Sequence, residues 1–234
     1  GFWTFDGPDV AGVTAYDRSG QGNNGTLTNG PVQTIGKIGQ GLLFDGTNDY
    51  LTMGDINNLD GLSALSFSFW MKAVDDASET SFSQIASDTG AVGLDGWQIE
   101  LSTSVHASTP RTLVFSLRNT ADGYIASSIS YPAANYGTWH HITMVYDGSL
   151  SGNANRAKYY LDGVQQTFTS QTGTVPASLN ANSGALQIAV ANGADNFAGT
   201  IDDFRIYNRA LSADEIYRLY KIGGTTKINT SRKD

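Results

Sequence analysis

Seven Asp-Gly pairs, at 6, 45, 60, 95, 122, 147 and 162, and three Asn-Gly pairs, at 24, 29 and 192, punctuate this chain of 234 residues. Both dipeptides supply the positive φ angles of tight hairpin turns. A chain folded back so often is committed to short antiparallel strands. The runs between the turns agree: Gly1 to Phe5, Gly41 to Phe44, Ser63 to Lys72, Gly96 to Ser102, Thr112 to Arg118, Tyr124 to Tyr131, Trp139 to Tyr146, Ala157 to Leu161, Ala185 to Val190 and Gly199 to Tyr207 are short and either apolar or alternating, as strands are. The expected fold is all-β, an antiparallel sandwich of two sheets. The length suits one such domain as well as two smaller ones.

Within ALSFSFWMKA, Leu65, Phe67, Phe69 and Met71 share one parity and Ser66, Ser68, Trp70 and Lys72 the other, so one face is core and the other a mixed surface. WHHITMVYDG is half apolar on both parities, which marks a central strand. Trp3, Trp70 and Trp139 read as core. One helix is expected: Ser212 caps it, Glu215 completes a capping box, and Ile216, Leu219 and Tyr220 form its apolar stripe. Beyond Tyr220 the chain turns basic and passes a Gly-Gly break. Residues 1–220 are therefore expected to form the domain and 221–234 a basic flexible linker to a following module.

Lys plus Arg number 14 against 22 Asp plus Glu, a net charge of −8, which argues against nucleic acid or an anionic membrane as partner. The absence of cysteine excludes disulfides and thiolate metal sites. No apolar run reaches the ~18 residues of a membrane span, and no charged leader precedes an apolar core, so an export signal would lie outside this sequence.

Five stretches carry a resemblance: GFWTFDG, YDRSGQGNNGTL (16–27), GKIGQGLLFDGTNDYL (36–51), TWHHITMVYDG with YYLDG (138–163), and GTIDDFRIYNRALSADEIYRLY (199–220). Together, and in this order, they resemble the laminin G-like branch of the concanavalin A-like lectin and glucanase superfamily, relatives of the pentraxins. The resemblance implies a jelly roll with one short C-terminal helix. It also implies a secreted or cell-surface multidomain parent with tandem or neighbouring domains, a binding or adhesion role toward a glycan or surface protein, and often one structural calcium ion.

Asp202 shares parity with Phe204 and Ile206, so one aspartate of the Asp202-Asp203 pair stands on a line of core residues, where a carboxylate is costly unless hydrogen-bonded or metal-bound. The resemblance implies calcium held by Asp6, Asp202 and oxygen atoms of the glycine-rich loop, matched here to Asn23, Asn24 and Thr26, and calcium's preference for six to eight oxygen ligands suits such a loop. The alternative is that Asp202 accepts hydrogen bonds from amides of the loop at 17 to 26. Asp203 is expected to pair with Arg205 or Arg209, and Asp17 to close an Asx-type turn.

Catalysis finds little support in the sequence. The only glutamates are Glu79, Glu100 and Glu215, none within two residues of another, whereas glycoside hydrolysis needs a pair of carboxylates ~5 to 9.5 Å apart. His140 and His141 point to opposite sides of a strand and cannot share a metal. His106, Arg111 and Tyr124 could supply a lyase cluster, with no spacing to compel it. Sugar binding needs aromatic rings and planar polar groups. Trp97 is the first candidate, at an expected sheet edge, followed by Arg111, Tyr124, Tyr131 and Tyr136, with Arg118 and Asn135 also outside the core pattern. The expected function is thus a non-catalytic carbohydrate-binding or adhesion module with calcium as cofactor. A structural spacer without a glycan ligand, or a lyase or hydrolase, are the alternatives.

Overall fold

The computed structural model describes residues 1–56, 59–75, 82–89, 96–102, 111–119, 123–181, 184–190 and 196–224. The expected sandwich is present. One sheet has eight strands in the order Val164–Gln166, Ala157–Leu161, His140–Asp147, Ala64–Ala73, Ala198–Tyr207, Gln40–Asp45, Val32–Ile35, with Phe2–Trp3 also paired to Ala198–Tyr207. The larger sheet has ten, in the order Ser170–Gln171, Gly123–Ser130, Thr112–Asn119, Gly96–Ser102, Phe82–Thr89, Ala185–Ile188, Tyr50–Gly54, Gly25–Thr28, Thr14–Ala15, Val10–Ala11. The pairings are antiparallel throughout. His140–Asp147 is central, as its two half-apolar faces foretold.

Between the sheets lies an aromatic core. Phe67, Phe69, Met71 and Phe204 from one sheet meet Trp97, Ile99, Leu101 and Phe115 from the other. Phe69 and Phe204 stack at 5.4 Å, and Phe67 lies 4.2 Å from Trp97 and 5.9 Å from Phe115. Trp3 is fully buried, and its indole N–H donates to the Asn23 carbonyl at 3.0 Å. Trp139 is not core: it precedes its strand and is only half-buried. Trp70 is buried on the other side of its sheet, beneath the helix.

That helix runs Ala213–Gly224. Ser212 Oγ accepts from the Glu215 N–H at 3.3 Å, and the Ser212 N–H donates back to Glu215 Oε2 at 2.9 Å, which is the expected capping box. The helix continues four residues past Tyr220, so Lys221 to Gly224 belong to the folded domain. Ile216 and Leu211 pack on Val145 and Tyr160, while Gly223 sits so close to the Trp70 ring that a Cβ there would lie 2.5 Å from it.

His141 is enclosed in this layer, with Trp70 at 5.1 Å and Tyr220 at 6.1 Å, and is bonded to Ser68 Oγ at 2.9 Å. Burial pushes its imidazole down to about 4, with Asp162 pulling upward and Arg205 downward. The folded protein therefore keeps His141 neutral where the unfolded chain, titrating near 6.5, takes up a proton. Stability should fall as pH drops from about 6.5 to about 4, by about 3 kcal/mol in total, and this contribution should level off below that. Urea titrations across this range should show a flatter pH dependence for His141→Gln; identical slopes would exclude the assignment.

Candidate functional site

Residues directly paired across antiparallel strands share a face. Because Trp97, Ile99 and Leu101 face the core, Gln98 and Glu100 face away from it, and with them their register partners Ser116 and Val114 on one side and Gln84 on the other. Gln84 Nε2 donates to Glu100 Oε1 at 2.6 Å and Ser116 Oγ donates to Glu100 Oε2 at 2.7 Å. Gln84, Gln98, Glu100, Ser116 and Ser128 are each at most 6% exposed, so this is a buried polar floor on the outer face of the larger sheet. Glu100 is the one carboxylate that the register puts on this face among the described strand residues. Asp88 shares its face with Trp97 and Leu186. The floor was legible in principle, since WQIELS alternates Trp, Ile and Leu with Gln, Glu and Ser.

The residues singled out for sugar contact fare differently. Trp97 is 1% exposed and packed against Phe67. It stands in mid-sheet, between Phe82–Thr89 and Thr112–Asn119, and the expected edge platform does not exist. Tyr131 is fully buried; its ring meets Tyr136 edge-on at 5.2 Å. Tyr136 is half-buried, and its hydroxyl donates to the Ser102 carbonyl at 2.7 Å. Arg111, in the left-handed region at φ 53°, pairs with Asp75 at 2.9 Å. Asn135 is half-buried beside Tyr131. Arg111, Tyr131 and Tyr136 thus belong to one packed end of the sandwich. The side chains of Tyr124 and Arg118, and residues Glu79 and His106, lie outside the described residues.

At the aspartate pair the structure corrects the parity argument. Asp202 is paired with Trp70 on the outer face, while Ile201 before it and Phe204 after it both face the core. A β-bulge between Asp202 and Arg205 makes this arrangement, with Asp203 left-handed at φ 52°. One extra residue on the bulged strand shifts the alternation. Asp203 pairs with Arg205 at 3.2 Å, as expected.

Asp202 is nevertheless fully buried, because the turn at 36–41 crosses it. Its Oδ2 accepts the Lys37 and Ile38 N–H groups, both at 2.8 Å, and Asp6 Oδ1 accepts the Gln40 N–H at 2.7 Å. Gly39 has φ +62°, and a Cβ there would land on Asp6 Oδ1; one on Gly36 would lie 2.6 Å from Asp202 Oδ2. Only glycine lets the turn approach both carboxylates. Asp202 Oδ1 is buried with no hydrogen-bond partner. Burial, with the negative charges of Asp203 and Asp6, pushes the Asp202 carboxyl up to about 7 against the pull of the two amides.

The loop expected to join this pair goes elsewhere. Asp17 gathers it, accepting the N–H groups of Phe2 (2.9 Å), Ser19 (2.8 Å) and Asn23 (3.1 Å), while Asn24 Oδ1 accepts the Asp17 N–H at 2.9 Å. Thr26 lies in Gly25–Thr28, paired with Thr14 and Thr52. Asp17 is thus an Asx-type turn centre, and the amides bonded to Asp202 belong to the 36–41 turn, not to 17–26. No cluster of three or more His, Cys, Asp or Glu side chains suited to a metal occurs among the described residues. The orphan Oδ1 of Asp202, a carboxylate bonded to the same turn as Asp6, is the feature a cation with hard oxygen ligands would use, its other donors being main-chain or water oxygens.

Comparison with known proteins assigns the class. The family model described as the concanavalin A-like lectin/glucanases superfamily matches residues 45–217, and the chain belongs to that family. A search of curated protein sequences found no match. Among solved structures, the botulinum neurotoxin serotype G binding domain aligns over 96% of this chain and 51% of its own, at 16% identity and TM-score 0.70. Domain 4 of AbnA, an extracellular GH43 arabinanase from Geobacillus stearothermophilus solved with arabinotriose, aligns over 94% of this chain and 96% of its own, at 20% identity and TM-score 0.65. The binding domain of Paraclostridial Mosquitocidal Protein 1 aligns over 91% and 50%, at 16% identity and TM-score 0.68. The chain spans about half the length of the toxin binding domains and nearly all of the arabinanase domain. At these identities the likeness is one of fold.

Proposed function

We propose that this domain is a non-catalytic carbohydrate-binding module of a secreted or surface protein, and that it recognises a neutral glycan on the outer face of the larger sheet. The observation that carries the reading is the buried polar floor of Gln84, Gln98, Glu100 and Ser116. Gln84, Glu100 and Ser116 are already tied together by hydrogen bonds of 2.6 and 2.7 Å, with Gln98 beside them on the same face, so little side-chain freedom would be lost on binding. Planar amides and a carboxylate fit vicinal hydroxyls. Glu100, the one carboxylate on this face among the described strand residues and already bonded to Gln84 and Ser116, suits a sugar contact better than acid and base catalysis, which needs a second carboxylate across the scissile bond.

Two further points support the module reading. One solved neighbour of matching length was determined with an arabinose oligosaccharide bound, and no helix among the described residues is long and apolar enough to cross a membrane. Structural calcium belongs to the same proposal, with Asp6 and Asp202 as its carboxylates and the 36–41 turn, rather than Asn23, Asn24 and Thr26, as the neighbouring loop. Bound there, the ion would neutralise the facing carboxylates; the protein's part is to hold those oxygens in place.

The test is a glycan array on the calcium-loaded domain, repeated with Gln98→Ala. Selective binding that drops tenfold or more in the variant, measured well below its melting temperature, is expected. A blank array from folded protein would favour the spacer reading, and turnover of any bound oligosaccharide would overturn the non-catalytic one.

A further inference from the structure

We propose a second saccharide site, a cleft of ≈ 270 Å3 at one end of the sandwich, lined by Gln21, Asn23, Ile56, Leu59, Ile206 and Asn208. Three segments meet there: the turn organised by Asp17, the chain just after Tyr50–Gly54, and the end of Ala198–Tyr207. Ile56, Leu59 and Ile206, each at most 8% exposed, form a small apolar floor within a mainly polar lining. Gln21, Asn23 and Asn208 add three carboxamides, and no side-chain hydrogen bond occupies any of them among the described residues.

The backbone that presents these groups is tied down. The Asn23 N–H donates to Asp17 Oδ2 at 3.1 Å, and the Asn23 carbonyl accepts the Trp3 indole N–H at 3.0 Å. The Leu59 N–H donates to the Ile56 carbonyl at 2.8 Å, and the Ile206 N–H to the Gly1 carbonyl at 3.0 Å. The main-chain nitrogen of Gly1 is itself engaged by the Ile206 carbonyl at 3.1 Å. A preformed wall with unused amide groups is what binding without a large ordering cost requires.

The chemistry selects the ligand. A carboxamide sets a donor beside an acceptor and so matches two adjacent hydroxyls, and three of them around a small apolar floor match the many hydroxyls at the edge of a sugar ring. No lining side chain is charged, and the Gly1 nitrogen, which also lines the cleft, is taken up by the Ile206 carbonyl, so a neutral sugar suits the cleft better than a phosphate or a uronate. The volume falls just under the roughly 300 Å3 at which pockets for drug-sized molecules begin. That admits a single sugar unit, the end of a glycan or a free monosaccharide. The cleft shares no residue with the floor of the larger sheet, so the two sites can be separated by mutation.

The experiment is an NMR titration of the 15N-labelled domain with arabinose, galactose, glucose and mannose in turn, following the side-chain amides of Gln21, Asn23 and Asn208. Asn23→Ala, Asn208→Ala and Gln98→Ala are titrated in parallel. For at least one sugar these amides should shift saturably, with a Kd on the order of 1 mM, weakened tenfold or more in Asn208→Ala and unchanged in Gln98→Ala. Asn208 is exposed and its side chain bonds nothing among the described residues, so loss of binding there at an unchanged melting temperature reports on the cleft. Absence of saturable shifts with every sugar overturns the site, as does binding that survives both asparagine substitutions. Binding abolished by Gln98→Ala alone would leave the sheet-face reading standing and remove this one.

Discussion

Trp97→Ala should destabilise the sandwich by about 3–5 kcal/mol, the range for removing a large aromatic side chain from a packed core. The ring is 1% exposed, 4.2 Å from Phe67, on a strand flanked by paired neighbours on both sides. Its removal forfeits apolar burial and leaves a cavity that mid-sheet backbone cannot close. Against a total stability of about 5–15 kcal/mol for a typical domain, this is a large fraction. Urea unfolding should show a much lower midpoint with an unchanged slope. Trp97→Phe should cost far less, because the indole N–H has no partner among the described residues and its loss strands nothing. An alanine variant with an unchanged midpoint would mean that the ring lies at the surface after all. Loss of glycan binding in Trp97→Ala would accordingly report on folding, not on recognition.

Calcium should have the second large effect. If the ion occupies the Asp6 and Asp202 site, calcium at a thousandfold excess over its Kd should stabilise the stripped protein by about 4 kcal/mol, a rise in Tm on the order of 10 °C for a domain of this size. Asp202→Asn tests the location. The variant keeps an oxygen to accept the Lys37 and Ile38 N–H groups but removes a buried charge that Asp203 and Asp6 oppose. Without metal it should be as stable as the original or more so, and with calcium it should gain almost nothing. Equal melting of the original protein with and without calcium would sink the idea. A variant that kept the full gain would move the ion away from Asp202, and Asn24→Ala would then test the Asp17 loop.

Much of the architecture was readable because hairpin chemistry is local. The strands around Gly96–Ser102 and Ala157–Leu161 have the expected bounds, and the capping box at Ser212 and Glu215 is in place. Several strands carry too little contrast to be read from sequence. Phe82–Thr89 mixes Ser, Gln and Asp with Ile and Ala on both parities, and Val10–Ala11 and Thr14–Ala15 are too short to show any period.

The site was harder, because it depends on faces rather than on residue types. An aromatic in a strand says that something large is buried or presented, but not which. Trp97 and Tyr131 proved to be core, whereas the polar parity beside Trp97 forms the buried polar floor. Asp202 was correctly picked out as abnormal. Its reason was misread, because a left-handed Asp203 shifts the alternation by one and no local signal announces a bulge at a non-glycine residue.

The sequence by itself determined the antiparallel class, the central strand, the capped helix and the family, since each rests on short-range periodicity, turn residues or co-linear motifs. The tertiary structure alone decided which glycine loop meets Asp202, that Asn23, Asn24 and Thr26 gather instead around Asp17, and that Trp97 lies in mid-sheet. The physical reason is distance along the chain. The Asp202 bonds to Lys37 and Ile38 span 165 and 164 residues, and only the packing of the sheets determines which distant backbone amides reach a buried carboxylate.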